Sequence, residues 1–194
     1  KLILCLCAKD STLASLCEDC VDEAPVPIPD IDPQVFHYML YHIYGGIVTA
    51  SEWKDHAKDF IEAADRYGVK YFKIEAEAWY VKHLKVTVDN VVDALLFAEE
   101  KNCFLLKEAA TNFIVKNAQE VIASESFQNI PESKSFVREI LSLVATNSLQ
   151  GDAMKDLDDP THLSINELRA KIYDKGKDID GPRNRLISQL LELQ

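Results

Sequence analysis

Four cysteines near the start of the chain have a spacing that could bind a metal. Cys5-x-Cys7 is followed by Cys17-x-x-Cys20, and four thiolates are a ligand set of structural zinc sites. The alternative is that these small apolar thiols fill core-facing helix positions, and we favour it and predict no bound metal. With Cys103 the cysteine count is odd, and no secretory signal pattern is present, so we expect reduced thiols inside a cell.

A second group of candidate residues lies near the end of the chain, where basic side chains surround the predicted start of a helix after Gly181-Pro182. The free N–H groups of a helix start, combined with guanidinium groups, can bind phosphate. Asp178 and Asp180 oppose this charge at short range, so we expect weak, salt-sensitive binding with little base readout. The alternative is a basic surface turn. The four basic candidates are Lys175, Lys177, Arg183 and Arg185.

No catalytic constellation can be written from the rest of the sequence. The six glycines form neither of the common phosphate-binding loops, and H-E-x-x-H and G-x-S-x-G are absent. The five histidines lack the spacing of a metal site, and the acidic residues between 156 and 159 lack the ligand pattern of a calcium loop. We therefore predict that the chain is not an enzyme and needs no cofactor.

The overall charge of the chain disfavours a polyanion that binds over the whole surface, but it allows a local basic site. The chain has 21 basic and 32 acidic residues, so its net charge is −11, which disfavours polyanion binding over the whole surface. Residues 161–194 differ, with six basic and five acidic residues. No apolar run approaches the ~20 residues of a membrane span, so we expect no membrane partner.

The elements that must position these residues are mostly helices. Asp32-Pro33 is a good helix start, and Thr49-x-x-Glu52 is a capping box for a second helix that Gly68 ends. A third helix follows Gly68, and helical periodicity returns from Thr87 to Val144. Alternating proline and apolar residues in 24–31 predict an edge strand or a lone extended segment.

The end of the chain carries its own helix start and stop signals. The polar stretch 146–162 is typical of a linker and contains Gly151 and Pro160. Ser164-x-x-Glu167 is a capping box for a helix that ends at Gly176, and a second helix starts at Gly181-Pro182. We predict a helix, an extended loop and a helix within 34 residues, 161–194.

Residues 2–84 resemble the C-terminal part of a BTB/POZ domain, with particular likeness to speckle-type POZ proteins. The resemblance rests on Leu2–Cys5, Ser11–Cys17, Pro27–Ile31, Val35-Phe36, Ile43–Gly46 and Phe60–Val69. Leu13 and Cys17 depart from the family, which usually has phenylalanine there. The opening strands of the BTB fold are missing from the resemblance, so we expect a truncated N-terminus.

Two further resemblances follow along the chain. Residues 85–145 look like the helical BACK-type extension of BTB adaptors, through Val86–Val92, Leu105–Lys107 and Phe113-Ile114. Residues 163–194 resemble a SAP motif, a helix–loop–helix of chromatin- and RNA-associated proteins, through Leu163–Leu168, Gly176, Gly181 and Leu186-Ile187. Lys177 and Gln189 depart from that motif, which usually has leucine and a basic residue there.

The predicted fold class is mainly α: the C-terminal part of a BTB/POZ α/β fold, a helical BACK-like extension and a small SAP-like helix–loop–helix. The predicted boundaries are 1–84, 85–145, a linker 146–162, and 163–194.

The resemblances imply a protein-binding adaptor in the nucleus or shared between nucleus and cytoplasm. They imply a homodimer through the BTB domain, a cullin scaffold of a ubiquitin ligase as partner, and DNA or RNA at the SAP-like motif. The cullin-binding element of the family, a hydrophobic residue followed at the second position by Glu, falls on Val21-Asp22-Glu23. The alternatives are a solvated acidic loop there and an oligomerising chromatin or transcription scaffold without a ligase role.

Overall fold

The structure, a computed structural model, describes residues 31–129 and 160–193, together with Thr12, Ile28, Ser142 and Ala145. These residues are mainly helical, which confirms the predicted fold class, and the part described contains no strand. The predicted edge strand 24–31 and the last helical stripe up to Val144 lie largely outside it. Within the described ranges, every helix is too short or too polar to cross a bilayer.

The chain divides into two compact units, residues 1–84 and 85–194. In the first unit the helices start and end at the predicted signals. The Asp32 carboxylate accepts the N–H of Gln34 at 2.8 Å, the Thr49–Glu52 capping box is formed, and Gly68 ends the second helix with φ +69°. The helices of this unit are α1 (Pro33–Ile43), α2 (Ala50–Tyr67) and α3 (Lys70–His83).

An aromatic cluster forms the centre of the first unit. The ring centroids of Trp53 lie 5.2 Å from those of Phe60 and Phe72, and the two phenylalanines are 5.3 Å apart. Met39 of α1 and Ile61 of α2 are fully buried beside the same helices. These are the apolar faces that the periodicity predicts, and their burial is the main source of stability in this unit.

The second unit begins with a turn rather than with the helix that the sequence predicts from Thr87. The Asn90 side chain accepts the Thr87 N–H at 2.8 Å and donates to the carbonyl of Lys85 at 2.9 Å. This local bonding competes with helical bonding, so the helix starts at Val91. The next elements are α4 (Val91–Glu100), α5 (Phe104–Lys116), α6 (Ala118–Ala123) and α7 (Glu125–Gln128).

The packing of α4 against α5 makes the core of this helical bundle. One apolar stripe from each helix meets the other, and α6 closes one side. The buried residues of this cluster are Val91, Val92, Leu95, Ala110, Ile114 and Val121. Both helices lie within the predicted helical stretch from Thr87 to Val144, and the 3.6-residue period places such residues on one face of each helix.

The C-terminal hairpin, residues 163–193, is the helix–loop–helix that the sequence predicts. It follows a 3₁₀ turn at Pro160–His162 and consists of α8 (Ile165–Tyr173), a loop and α9 (Arg183–Leu191). Its own apolar side chains are buried, so it has a small core. The buried apolar residues are Ile165, Leu168, Ile172, Ile179, Leu186 and Leu190.

Candidate functional site

The structure describes some of the site residues that the sequence predicts, and others lie outside the described part of the chain. Val21, Asp22 and Glu23 lie outside the described residues, as do the cysteines of the zinc alternative. Cys103 is described, and its thiol is buried near the α4–α5 turn. No group of three or more metal-ligating side chains occurs among residues 31–129 and 160–193. The four basic candidates all lie in the C-terminal hairpin.

The start of α8 is set by the predicted capping box. The Ser164 hydroxyl accepts the Glu167 N–H at 3.3 Å, and the Glu167 carboxylate accepts the Ser164 N–H at 2.7 Å. The Ser164 hydroxyl also donates to that carboxylate at 2.7 Å. These hydrogen bonds favour the charged form and lower the pKa of Glu167 below its ordinary value. The first turn of α8 is therefore held by side chains of the hairpin itself.

Lys175 and Lys177 are the exposed cations of the site. They flank Gly176, whose φ of +66° turns the chain away from α8. Neither ammonium group forms an ion pair with any residue in the described part of the chain. Both side chains can therefore reach an anion in solution without breaking an internal contact.

Arg185 is held by a neighbouring carboxylate. Its guanidinium donates to Oδ2 of Asp178 at 3.0 Å, with exposed fractions of 51% and 40% for the two side chains. The other oxygen, Oδ1, accepts the Asp180 N–H at 3.1 Å, which shapes the loop before α9. The arginine stem crosses Gly181, where a Cβ atom would lie 2.8 Å from Cδ of Arg185.

Arg183 points to a different part of the second unit. It donates through one guanidinium nitrogen to Oε1 of Glu108 at 2.8 Å and through the other to the carbonyl of Thr161 at 2.8 Å. Glu108 belongs to α5, so this ion pair connects the C-terminal hairpin to the helical bundle. The exposed fractions are 34% for Arg183 and 19% for Glu108, so both charges are partly withdrawn from water.

Glu108 makes a second contact with the hairpin. Its Oε2 atom accepts the N–H of Ile165, the first residue of α8, at 3.0 Å. A carboxylate at a helix start satisfies a free amide and interacts favourably with the positive end of the helix dipole. One side chain of α5 therefore binds both helices of the hairpin.

The structure does not gather the four basic candidates into one patch. Arg183 and Arg185 both lie in the first turn of α9, as predicted, but residues two apart on a helix do not face the same way. Arg183 faces α5 and Arg185 faces the loop. The exposed positive charge without an internal carboxylate partner is therefore that of Lys175 and Lys177.

An open cavity of about 690 Å³ lies beside the Glu108–Arg183 ion pair. Thr111 and Asn112 of α5 line one wall, and Pro182 and Asn184 at the start of α9 line another. Arg183 itself is among the lining residues, so small solutes can approach its guanidinium from solvent.

Glu108 is the residue of the candidate site that the sequence did not predict. It is an ordinary glutamate on a helix, and its partners Ile165 and Arg183 follow it by 57 and 75 residues. No periodicity or spacing rule acts over such a separation. Glu108 is the one acidic residue of α5 and follows Lys107 directly, so the helix sequence carries no local signal that selects a partner.

Comparison with known protein families assigns most of the chain. Residues 1–84 match the model of the BTB/POZ domain, and residues 91–153 match the model described as "BTB And C-terminal Kelch", or BACK. The chain therefore carries a BTB/POZ domain followed by a BACK domain, as the first two resemblances predict. Domains of these two families are protein-interaction modules.

Individual relatives carry the same domain name. TD and POZ domain-containing protein 4 of Mus musculus is 34% identical over 108 residues, which are 56% of this chain and 29% of that protein. BTB/POZ and MATH domain-containing protein 3 of Arabidopsis thaliana is 30% identical over 133 residues, which are 62% of this chain and 32% of that protein. The chain spans less than a third of the length of these curated relatives.

Proposed function

We propose that the protein is a non-catalytic adaptor that joins a cullin scaffold of a ubiquitin ligase to a nucleic-acid-associated substrate. The BTB/POZ domain forms a homodimer and binds the cullin, and the C-terminal hairpin binds DNA or RNA. The observation that carries the proposal is the order of a BTB/POZ domain and a BACK domain in one chain. The resemblance to chromatin- and RNA-associated proteins favours a location in the nucleus or shared between nucleus and cytoplasm.

The surface of the first unit supports a protein partner. Tyr41, Tyr44 and Ile47 follow one another closely at the end of α1 and are exposed, with Ile47 83% exposed. Exposed aromatic and aliphatic side chains at one place are typical of protein interfaces because their burial on binding is favourable.

The cullin contact is assigned to Val21 and Glu23 through the resemblance. An apolar side chain fills a pocket, and the nearby carboxylate accepts a charge-assisted hydrogen bond. We expect purified cullin to be captured by the protein and not by the Val21→Asp/Glu23→Lys variant. Asp19→Asn changes the net charge by the same amount and should keep the capture.

Cullin capture, measured beside the molar mass from light scattering, separates the adaptor from a scaffold without a ligase role. The adaptor is a dimer that captures cullin, and the double variant remains a dimer that does not. A dimer in which the wild-type protein captures no cullin contradicts the adaptor and supports an oligomerising chromatin or transcription scaffold. Equal capture by wild type and double variant contradicts the assignment to Val21 and Glu23.

The nucleic-acid contact is assigned to Lys175 and Lys177, supported by the start of α9 and by Arg185. Lysines bind phosphate without reading bases, so affinity should fall steeply with salt. We expect Lys175→Gln/Lys177→Gln to weaken binding of a labelled 20-base-pair duplex about tenfold and to flatten the salt dependence by about two ions.

The matched control for the lysine variant is Lys54→Gln/Lys70→Gln, which removes two exposed cations from the first unit. It should leave duplex affinity and salt dependence nearly unchanged. Equal losses in both double variants would contradict a site in the hairpin and indicate a general charge effect. No measurable binding by the wild-type protein at low salt would contradict the nucleic-acid role.

A further inference from the structure

Arg183 occupies two roles that exclude each other. As a basic residue at the start of α9 it is a candidate phosphate ligand, and in the structure it is the ion partner of Glu108. Both terminal guanidinium nitrogens donate internally, one to Glu108 and one to the carbonyl of Thr161. A phosphate that accepts two hydrogen bonds from the same guanidinium edge must replace those acceptors.

Two anions, the Glu108 carboxylate and a phosphate, compete for the Arg183 guanidinium. Glu108 is 19% exposed and has both oxygens bonded to the hairpin, one to Arg183 and one to the Ile165 N–H. A phosphate brought to Arg183 through the adjoining cavity would lie close to the Glu108 carboxylate, and the two negative charges would repel each other. Binding of a polyanion at Arg183 therefore weakens the hold of Glu108 on the hairpin.

We propose that Glu108 competes with nucleic acid for Arg183. The Glu108 carboxylate keeps Arg183 bound to the BACK helix α5 until a phosphate of the polyanion replaces that carboxylate. The inference rests on the proposed nucleic-acid function and adds a regulation to it. Because linkage is reciprocal, polyanion binding loosens the attachment of the hairpin to α5, and any factor that loosens this attachment raises polyanion affinity.

Fluorescence anisotropy with a labelled 20-base-pair duplex tests the competition in the whole chain. Glu108→Gln keeps the shape of the side chain but removes the charge, so Arg183 is held more weakly and duplex affinity should rise about 3- to 10-fold. Glu120→Gln removes one exposed negative charge from the same unit and measures the general charge effect, which should be under about 1.5-fold.

Arg183→Gln, alone and combined with Glu108→Gln, completes a double-mutant cycle for the two residues. In the wild-type background it should change affinity little, because the phosphate contact of Arg183 is offset by the loss of its bond to Glu108, and in the Glu108→Gln background it should remove the gain. This pattern distinguishes the competitor from a merely structural residue, whose loss would not raise affinity through Arg183.

Hydrogen exchange of the wild-type protein supplies a readout that needs no variant. The Ile165 amide is bonded to Glu108, so its exchange should speed up when the duplex saturates the hairpin. Duplex binding with no such change, or a Glu108→Gln affinity equal to that of Glu120→Gln, would overturn the inference and leave the nucleic-acid role standing. Absence of binding in every variant would overturn both.

Discussion

Glu108 and Arg183 lie 75 residues apart in the chain and meet at 2.8 Å between a carboxylate oxygen and a guanidinium nitrogen. The pair connects α5, in the BACK domain, to the start of α9. Glu108 also accepts the Ile165 N–H at the start of α8. This one glutamate therefore holds both helices of the hairpin. A residue predicted to face nucleic acid is therefore also a structural ion partner.

The first prediction concerns the stability that this pair contributes. Glu108→Gln and Arg183→Gln should each lower the free energy of unfolding of the hairpin by about 1–2 kcal/mol, because each leaves a partly buried charge without its partner. Hydrogen exchange at Leu168, in the core of the hairpin, measures this free energy. The double variant should lose less than the sum, with a coupling of about 1 kcal/mol.

The more exposed Arg185–Asp178 pair is the control. Arg185→Gln and Asp178→Asn should show a coupling below about 1 kcal/mol, since water screens both side chains. Strictly additive losses for Glu108 and Arg183 would contradict a direct interaction between them.

The second prediction concerns the close approach of Arg185 to Gly181. Gly181 has φ +142°, and alanine there would bring Cβ to 2.8 Å from Cδ of Arg185. Gly181→Ala should therefore destabilise the hairpin by about 2–3 kcal/mol and displace Arg185 from Asp178. Gly176→Ala, with φ +66° and open space around its Cβ position, should cost only about 1 kcal/mol. Thermal unfolding of both variants measures the two losses of stability. A larger loss for Gly176→Ala than for Gly181→Ala would contradict the close approach of Arg185 to Gly181.

The third prediction concerns pH. Hydrogen bonds from Ser164 hold the pKa of Glu167 below its ordinary value of 4.5. A carboxyl group whose pKa is lowered by folding stabilises the folded state fully above pH 4.5, and this contribution is lost as the pH falls through the folded pKa. The start of α8 should therefore fray in acid as Glu167 is protonated.

An NMR titration of the Glu167 carboxyl carbon checks the shift. Ser164→Ala should move its midpoint up towards 4.5, because the hydrogen bond from the Ser164 hydroxyl contributes most to the lowering of this pKa. Ser188→Ala, which removes a hydroxyl of α9 that bonds only to the Asn184 carbonyl, should leave the midpoint unchanged. A midpoint that Ser164→Ala does not move would show that the capping box is not formed in solution.

The fourth prediction concerns the aromatic cluster of the first unit. Phe60 is completely buried and contacts Trp53 and Phe72, so Phe60→Ala should cost about 3–5 kcal/mol in unfolding free energy. Ile47→Ala removes an exposed aliphatic side chain and should stay within about 0.5 kcal/mol. Urea denaturation followed by tryptophan fluorescence gives both values, and similar costs would contradict the packing described.

The local elements of the fold could be predicted from the sequence because their signals are short-range. The capping boxes at Thr49 and Ser164, and the stop at Gly68, act within four residues and appear where they are predicted. One displaced boundary, Val91 in place of Thr87, came from the Asn90 side chain, which competes for the same backbone groups. Periodicity alone does not weigh that competition.

By itself the sequence determined the helices, their buried faces, the family resemblance of residues 2–145 and the positions of four basic side chains. Only the tertiary structure decided that Arg183 meets Glu108 of α5. The physical reason is that a charge on a helix surface has no built-in partner. Its partner is chosen by the packing of α8 and α9 against α5, and that packing depends on the burial of many apolar side chains at once.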